Sequence, residues 1–96
     1  MFFKIKKMII KLELFGATRD FSDKDHLDLD LQDKSSIGDL RNEIIKYIEK
    51  NFQGNKSFIK VVKSSAFCSE NNEIISDNYK ITKDQKIGII PPIGGG

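Results

Sequence analysis

The chain has 96 residues and a mass of 10.9 kDa, which leaves room for one hydrophobic core and not two. At 39% hydrophobic and 31% charged residues, it is too apolar for a disordered chain and too polar for a membrane protein. A formal net charge of +2 argues against nucleic-acid binding, and one Cys with one His excludes an internal disulfide and a four-ligand Cys/His zinc site.

No stretch approaches the roughly eighteen apolar residues that a membrane-spanning helix needs. The first ten residues interleave Lys with apolar side chains and lack both the unbroken apolar run and the small-residue cleavage site of a secretory signal. A cytoplasmic, unexported protein with no membrane partner is therefore expected. Residues 1–7 form an N-terminal extension, residues 8–92 the folded domain and residues 93–96 a flexible glycine tail.

From Met8 to Phe15 apolar and charged residues alternate, with Ile10, Leu12 and Leu14 on one face, the period-two pattern of a half-buried strand. Gly16 and the polar run to Asp25 interrupt it. His26 to Leu31 alternate again, three Leu against the two Asp, so the two segments read as a hairpin with a long loop. The period then changes. Ser36 and Asp39 have the spacing of a capping box, and Ile37, Leu40, Ile44, Ile45, Ile48 and Phe52 fall on one helical face. Arg41, Glu43, Lys46, Glu49 and Lys50 are expected on the opposite, solvated face, and Gly54 past the last turn. Phe58–Val62, rich in β-branched residues, reads as a short strand or a packed connection. Ser65–Ser69 and Ile74–Ser76 read as strands around a Glu-Asn-Asn-Glu turn, and Lys86–Ile90 as a buried central strand.

One amphipathic helix laid across a mixed sheet is a two-layer α+β arrangement. With a hairpin before the helix and the last strand returning beside the first, the order corresponds to the β-grasp of ubiquitin-like folds.

Few residues offer catalytic chemistry. His26 opens a strand without a His, Cys or Ser partner in sequence and reads as a surface histidine. Cys68 reads as a small buried hydrophobe, since no base for a thiolate can be placed. The Asp residues at positions 20 to 33 lack the Gly and terminal Glu of an EF-hand loop and half of them alternate with Leu, which favours a solvated strand face over a metal site. Charge is nevertheless unevenly spread. The first nineteen residues carry five cations against Glu13, whereas Asp20 to Asp39 hold seven Asp against two Lys.

The end of the chain differs from the rest. Pro91 and Pro92, the two prolines of the sequence, follow the last strand directly and favour an extended exit that aims Ile93, Gly94, Gly95 and Gly96 away from the sheet. Glycines lacking Cβ can thread a channel that a side chain would block. Extended, the last four residues reach roughly 13 Å, at about 3.3 Å per residue.

Here the sequence resembles a known family. The run Lys86-Ile87-Gly88-Ile89-Ile90-Pro91-Pro92-Ile93-Gly94-Gly95-Gly96 is similar to the C-terminus of the small sulfur-carrier subunit of molybdopterin synthase. Leu14 to Asp20, the helix entry Ser36-Ile37-Gly38-Asp39-Leu40, and Ala66 to Asn78 with Lys83-Asp84 agree with the same family at the level of fold. The residues before Met8 and the Lys- and Asn-rich segment Asn51 to Ser65 depart from it. The resemblance implies a β-grasp protein with no stably bound cofactor. Its Gly96 carboxylate would be adenylated, with ATP, by a ubiquitin-activating-type enzyme and then thiocarboxylated. It would deliver sulfur to a pterin precursor inside the large synthase subunit, which supplies the catalytic side chains. Phe15, Ile90, Pro91, Pro92, Ile93, Gly94 and Gly95 would meet that partner. A thiamin-pathway or tRNA-thiolation carrier, a ubiquitin-like modifier linked through Gly96 to lysine, and a ubiquitin-like binding module with an inert tail are the alternatives.

Overall fold

A computed structural model describes residues 6–92. Five strands form one mixed sheet in the order β2-β1-β5-β3-β4, comprising β1 (Lys7–Leu14), β2 (His26–Gln32), β3 (Ala66–Cys68), β4 (Ile74–Ile75) and β5 (Gln85–Ile90). Strands β1 and β2 pair antiparallel from Lys7↔Gln32 to Glu13↔His26. Strand β5 lies parallel to β1, with Ile10 opposite Gln85 and Leu14 opposite Ile89, and β3 joins its other edge antiparallel. The α+β class and the single main helix crossing the sheet agree with the sequence reading.

The register sorts side chains by face. Met8, Ile10, Leu12 and Leu14 of β1, Ile87 and Ile89 of β5 and Phe67 of β3 all point into the core and are essentially inaccessible. Helix α1 (Ile37–Asn51) covers them with Ile37, Leu40, Ile44 and Ile48, each fully buried. Its start is the capping box expected from sequence: Ser36 Oγ accepts from the Asp39 amide at 3.1 Å, and the Ser36 amide donates to Asp39 Oδ2 at 2.9 Å. Those bonds hold the Asp39 carboxyl below its usual range. Gly54, at φ +70°, closes the end by donating its amide to the Ile48 carbonyl.

Two expectations are corrected. Phe58–Val62 is not a strand but part of a second helix, α2 (Lys56–Ser64). The Asn55 side chain caps it by accepting from the Phe58 amide at 3.1 Å, and Phe58, Val61 and Val62 then fall on one helical face against the core. Tertiary packing overrides the β preference of Ile59, Val61 and Val62. Arg41, in turn, does not lie on a solvated face. Its side chain is largely covered and pairs with Asp77, Nη2 to Oδ1 at 2.7 Å and Nε to Oδ2 at 3.2 Å. Its Nη1 donates to the carbonyls of Val62 (2.7 Å) and Ser65 (2.8 Å), and the guanidinium sits 4.8 Å over the Phe67 ring. One side chain of α1 therefore adds a charged donor to the carbonyl end of α2, where the Val62 carbonyl also accepts from the Ser65 amide at 3.3 Å, and anchors the segment after β4.

The long loop of the first hairpin contains a 3-10 helix, Gly16–Phe21, whose Phe21 is fully buried. Phe21 stacks against Phe58 with ring centroids 5.1 Å apart, Phe58 against Phe52 at 5.2 Å, and Tyr47 donates its hydroxyl to the Phe21 carbonyl at 2.7 Å. Burial, and then the nearby charge of Asp23, pushes the Tyr47 hydroxyl pKa up. This aromatic cluster docks α2 beside the first hairpin.

Truncation of Ile44 to Ala should cost about 2–5 kcal/mol in a denaturant titration. Arg41→Ala should cost about 1–3 kcal/mol, since the Val62 and Ser65 carbonyls and the Asp77 carboxylate lose a charged donor. Hydrogen bonds from Arg41 hold the Asp77 carboxyl below its ordinary value of 3.8, burial opposing. A depressed folded-state value means stability that is present above the unfolded value and lost as pH falls through the folded one. Acid titration below about pH 4 should therefore cost the wild type more stability than Arg41→Ala, read as the pH dependence of the unfolding midpoint.

Candidate functional site

The outer face of the sheet, turned away from α1, divides into two halves. On β2 and β1 it is charged: Lys11 stands opposite Asp28, and Glu13 reaches Lys86 of β5 at 3.5 Å. His26 bonds Asp25 at 2.9 Å through Nδ1, which lowers the Asp25 pKa, and its Nε2 lies 4.0 Å from Asp28. The histidine thus has acidic partners that spacing alone did not reveal, and among the described residues its hydrogen bond goes to Asp25.

On β5 and β3 the same face is apolar. The register places Ala66, Cys68, Gly88 and Ile90 together, with Ile74 continuing the patch at 68% exposure. Phe15, 44% exposed, lies across this half. Its ring rests over Gly88, where a Cβ would meet Phe15 Cε2 at 3.0 Å and Cys68 Sγ at 2.7 Å. Only a glycine leaves room for the ring and the thiol together. Cys68 is buried beside the Phe15 ring, as the sequence implied.

Phe15 is held by its own backbone. The fully buried Thr18 hydroxyl donates to the Phe15 carbonyl at 2.6 Å and accepts from the Phe15 amide at 2.9 Å. Gly16 follows at φ +55°, and a Cβ there would stand 3.0 Å from Pro91 Cγ. The first hairpin is thereby in contact with the point where the chain leaves β5. On the other side of Pro91 and Pro92 a groove of about 230 Å³ runs to α2, lined also by Ala17, Ser57, Lys60, Val61 and Ser64. Phe15, Ile90, Pro91 and Pro92 thus form one continuous surface. Ile93, Gly94, Gly95 and Gly96 lie outside the described residues. Gly88, Thr18 and Gly16 were not singled out by sequence; their signal is a register and a backbone conformation, visible only once the sheet is built.

A separate polar groove of about 490 Å³ between β2 and α1 is lined by both signs of charge, including Asp30, Asp39 and Lys46. Among the described residues no group of three His, Cys, Asp or Glu could hold a metal ion, and no helix is long and apolar enough to cross a membrane.

No family model and no curated protein matches the chain. Solved structures do. A provisionally named molybdopterin converting factor, subunit 1, from Pyrococcus furiosus superposes with a TM-score of 0.66 at 20% identity, covering 90% of this chain and 99% of that one. Small archaeal modifier protein 1 from Haloferax volcanii gives 0.64 at 12% identity, with the same coverages of 90% and 99%. A ubiquitin from Caldiarchaeum subterraneum gives 0.59 at 14%, covering 95% of this chain and all of its own.

The chain has the ubiquitin-like β-grasp fold.

The resemblance seen in the sequence is borne out at this level. Within the β-grasp, the apolar half-face and the Pro91 exit adjoin each other at the end of β5. Phe15→Ala should uncover Cys68 and speed its alkylation several-fold, with a small change in stability. Gly88→Val should do the same by lifting the ring. An unchanged rate in both variants would mean that Phe15 does not shield the thiol.

Proposed function

We propose that this β-grasp chain is a sulfur carrier of molybdenum cofactor synthesis whose reacting group is the Gly96 carboxylate. The carrying observation is at Pro91: the chain leaves a central strand through a proline packed against Gly16, beside an exposed apolar half-face. A tail launched from a rigid sheet places its end reproducibly relative to any partner that grips that face. The glycines of the sequence then suit passage through a narrow channel.

The chemistry follows from the weakness of a carboxylate as an acyl donor. Attack of the Gly96 carboxylate on the α-phosphorus of ATP expels pyrophosphate and leaves an acyl adenylate, catalysed by a ubiquitin-activating-type enzyme. Nucleophilic sulfur then attacks the acyl carbon and expels AMP, which leaves a thiocarboxylate. Inside the large subunit of molybdopterin synthase that sulfur would attack a pterin precursor. The carrier brings the nucleophile, and the partner brings the catalytic side chains. Phe15, Ile90, Pro91, Pro92 and Ile93 are the proposed contacts, with Gly94 and Gly95 in the channel.

The modifier reading has its own support, because the fold is shared equally with a small archaeal modifier protein and an archaeal ubiquitin. Intact mass separates the two. Incubation with ATP, a sulfur donor and the cognate activating enzyme should add about 16 Da, the replacement of one oxygen by sulfur. An isopeptide-linked product would run instead at the summed mass of two proteins. Deleting Gly96 should abolish the mass shift and pterin conversion with circular dichroism unchanged, since one residue of register moves the carboxyl carbon by about 3.3 Å. Full conversion by the deletion variant would refute the carrier reading.

A further inference from the structure

Helix α2 is the element in which the sequence departs from the family it resembles, and it lies along the groove that leads to Pro91 and Pro92. Its three lysines, Lys56, Lys60 and Lys63, are exposed and fall within about 60° of arc on the helical wheel, at about 100° per residue. None has an ion-pair partner among the described residues. From Asn51 to Ser69 the sequence contains no acidic residue. The lysines rim a shallow concavity of about 460 Å³ whose floor is Ile59, and Lys60 and Ser64 line both this concavity and the exit groove. The basic stripe therefore runs without interruption to the base of the tail.

We propose that α2 is a docking stripe for an acidic protein surface on the adenylating enzyme that receives the tail, an inference that rests on the carrier reading above. The distribution of charge favours this occupant. The stripe is uniformly positive and reaches the residues that begin the tail, so an acidic surface that meets it is brought up beside the tail. The chemistry of the encounter favours it too. An activating enzyme must capture the carrier, adenylate it and let it go, and solvated lysines accelerate capture without the slow release that a buried apolar contact brings. The apolar half-face of the sheet is built for the more durable complex.

The test is ATP–pyrophosphate exchange by the cognate adenylating enzyme at varied carrier concentration and ionic strength. Three carriers are compared: wild type, the triple variant Lys56→Glu/Lys60→Glu/Lys63→Glu, and an isoelectric control, Lys46→Glu/Lys80→Glu/Lys83→Glu, with reversals elsewhere on the surface. All three are checked by circular dichroism. The α2 variant should raise KM about tenfold or more with kcat little changed, and should lose the salt dependence seen in the wild type. The control should keep a KM near that of the wild type. An α2 variant equal to wild type in KM and salt response overturns the docking stripe and leaves the carrier reading standing. Equal effects from α2 and control reversals also overturn it, since net charge alone would then be responsible. A wild-type chain that supports no exchange overturns the carrier reading, and the docking stripe falls with it.

Discussion

The parallel pairing of β1 with β5 is the constraint on which the rest of this molecule depends. It joins the first strand to the last at the middle of the sheet, so β2 has to add on the far edge of β1 and β3 on the far edge of β5. Parallel neighbours cannot be linked by a tight turn, and the crossover between them has to be long. Here it carries the second half of the hairpin, both helices and the β3–β4 ladder. The same pairing makes β5 central, with β1 on one side and β3 on the other, so the strand that leads to the tail has no free edge. A firm base for the Pro91 exit and a closed core are two results of one register.

Much of this architecture was legible in the residues because local pattern and tertiary structure agree there. The alternations in β1 and β2, the Ser36–Asp39 box and the apolar stripe of α1 each follow from one short stretch of chain. What could not be read depended on partners far away in sequence. Arg41 has the spacing of a surface residue, yet the carbonyls of α2 and the carboxylate of Asp77 draw it inward. Phe21 sits in a run of polar residues and becomes core only because Phe58 arrives above it. Ile59, Val61 and Val62 favour strands individually, and their helical state is supported from outside by the Asn55 cap and the Arg41 bond to the Val62 carbonyl. At the site, Phe15 and Pro91 could be named from sequence, whereas Gly88 as the seat of the Phe15 ring could not.

The two helices serve different sides of the molecule. Helix α1 spends nearly all its apolar surface on the sheet. Helix α2 buries only one turn's worth, chiefly Phe58 and Val62, and turns its lysines outward beside the exit. Its place beside Pro91 and away from the sheet's hydrogen bonds lets the residues on its outer face vary without disturbing the fold.

The direction of the strands has a mechanical meaning. Because β1 and β5 are parallel, the start of one and the end of the other lie at opposite ends of the same ladder. Tension applied between Lys7 and Ile90 acts along the strands and loads the hydrogen bonds from Ile10 to Leu14 together, in shear, not one after another as in a zipper. A partner that pulls on the tail therefore works against the most resistant direction of the domain.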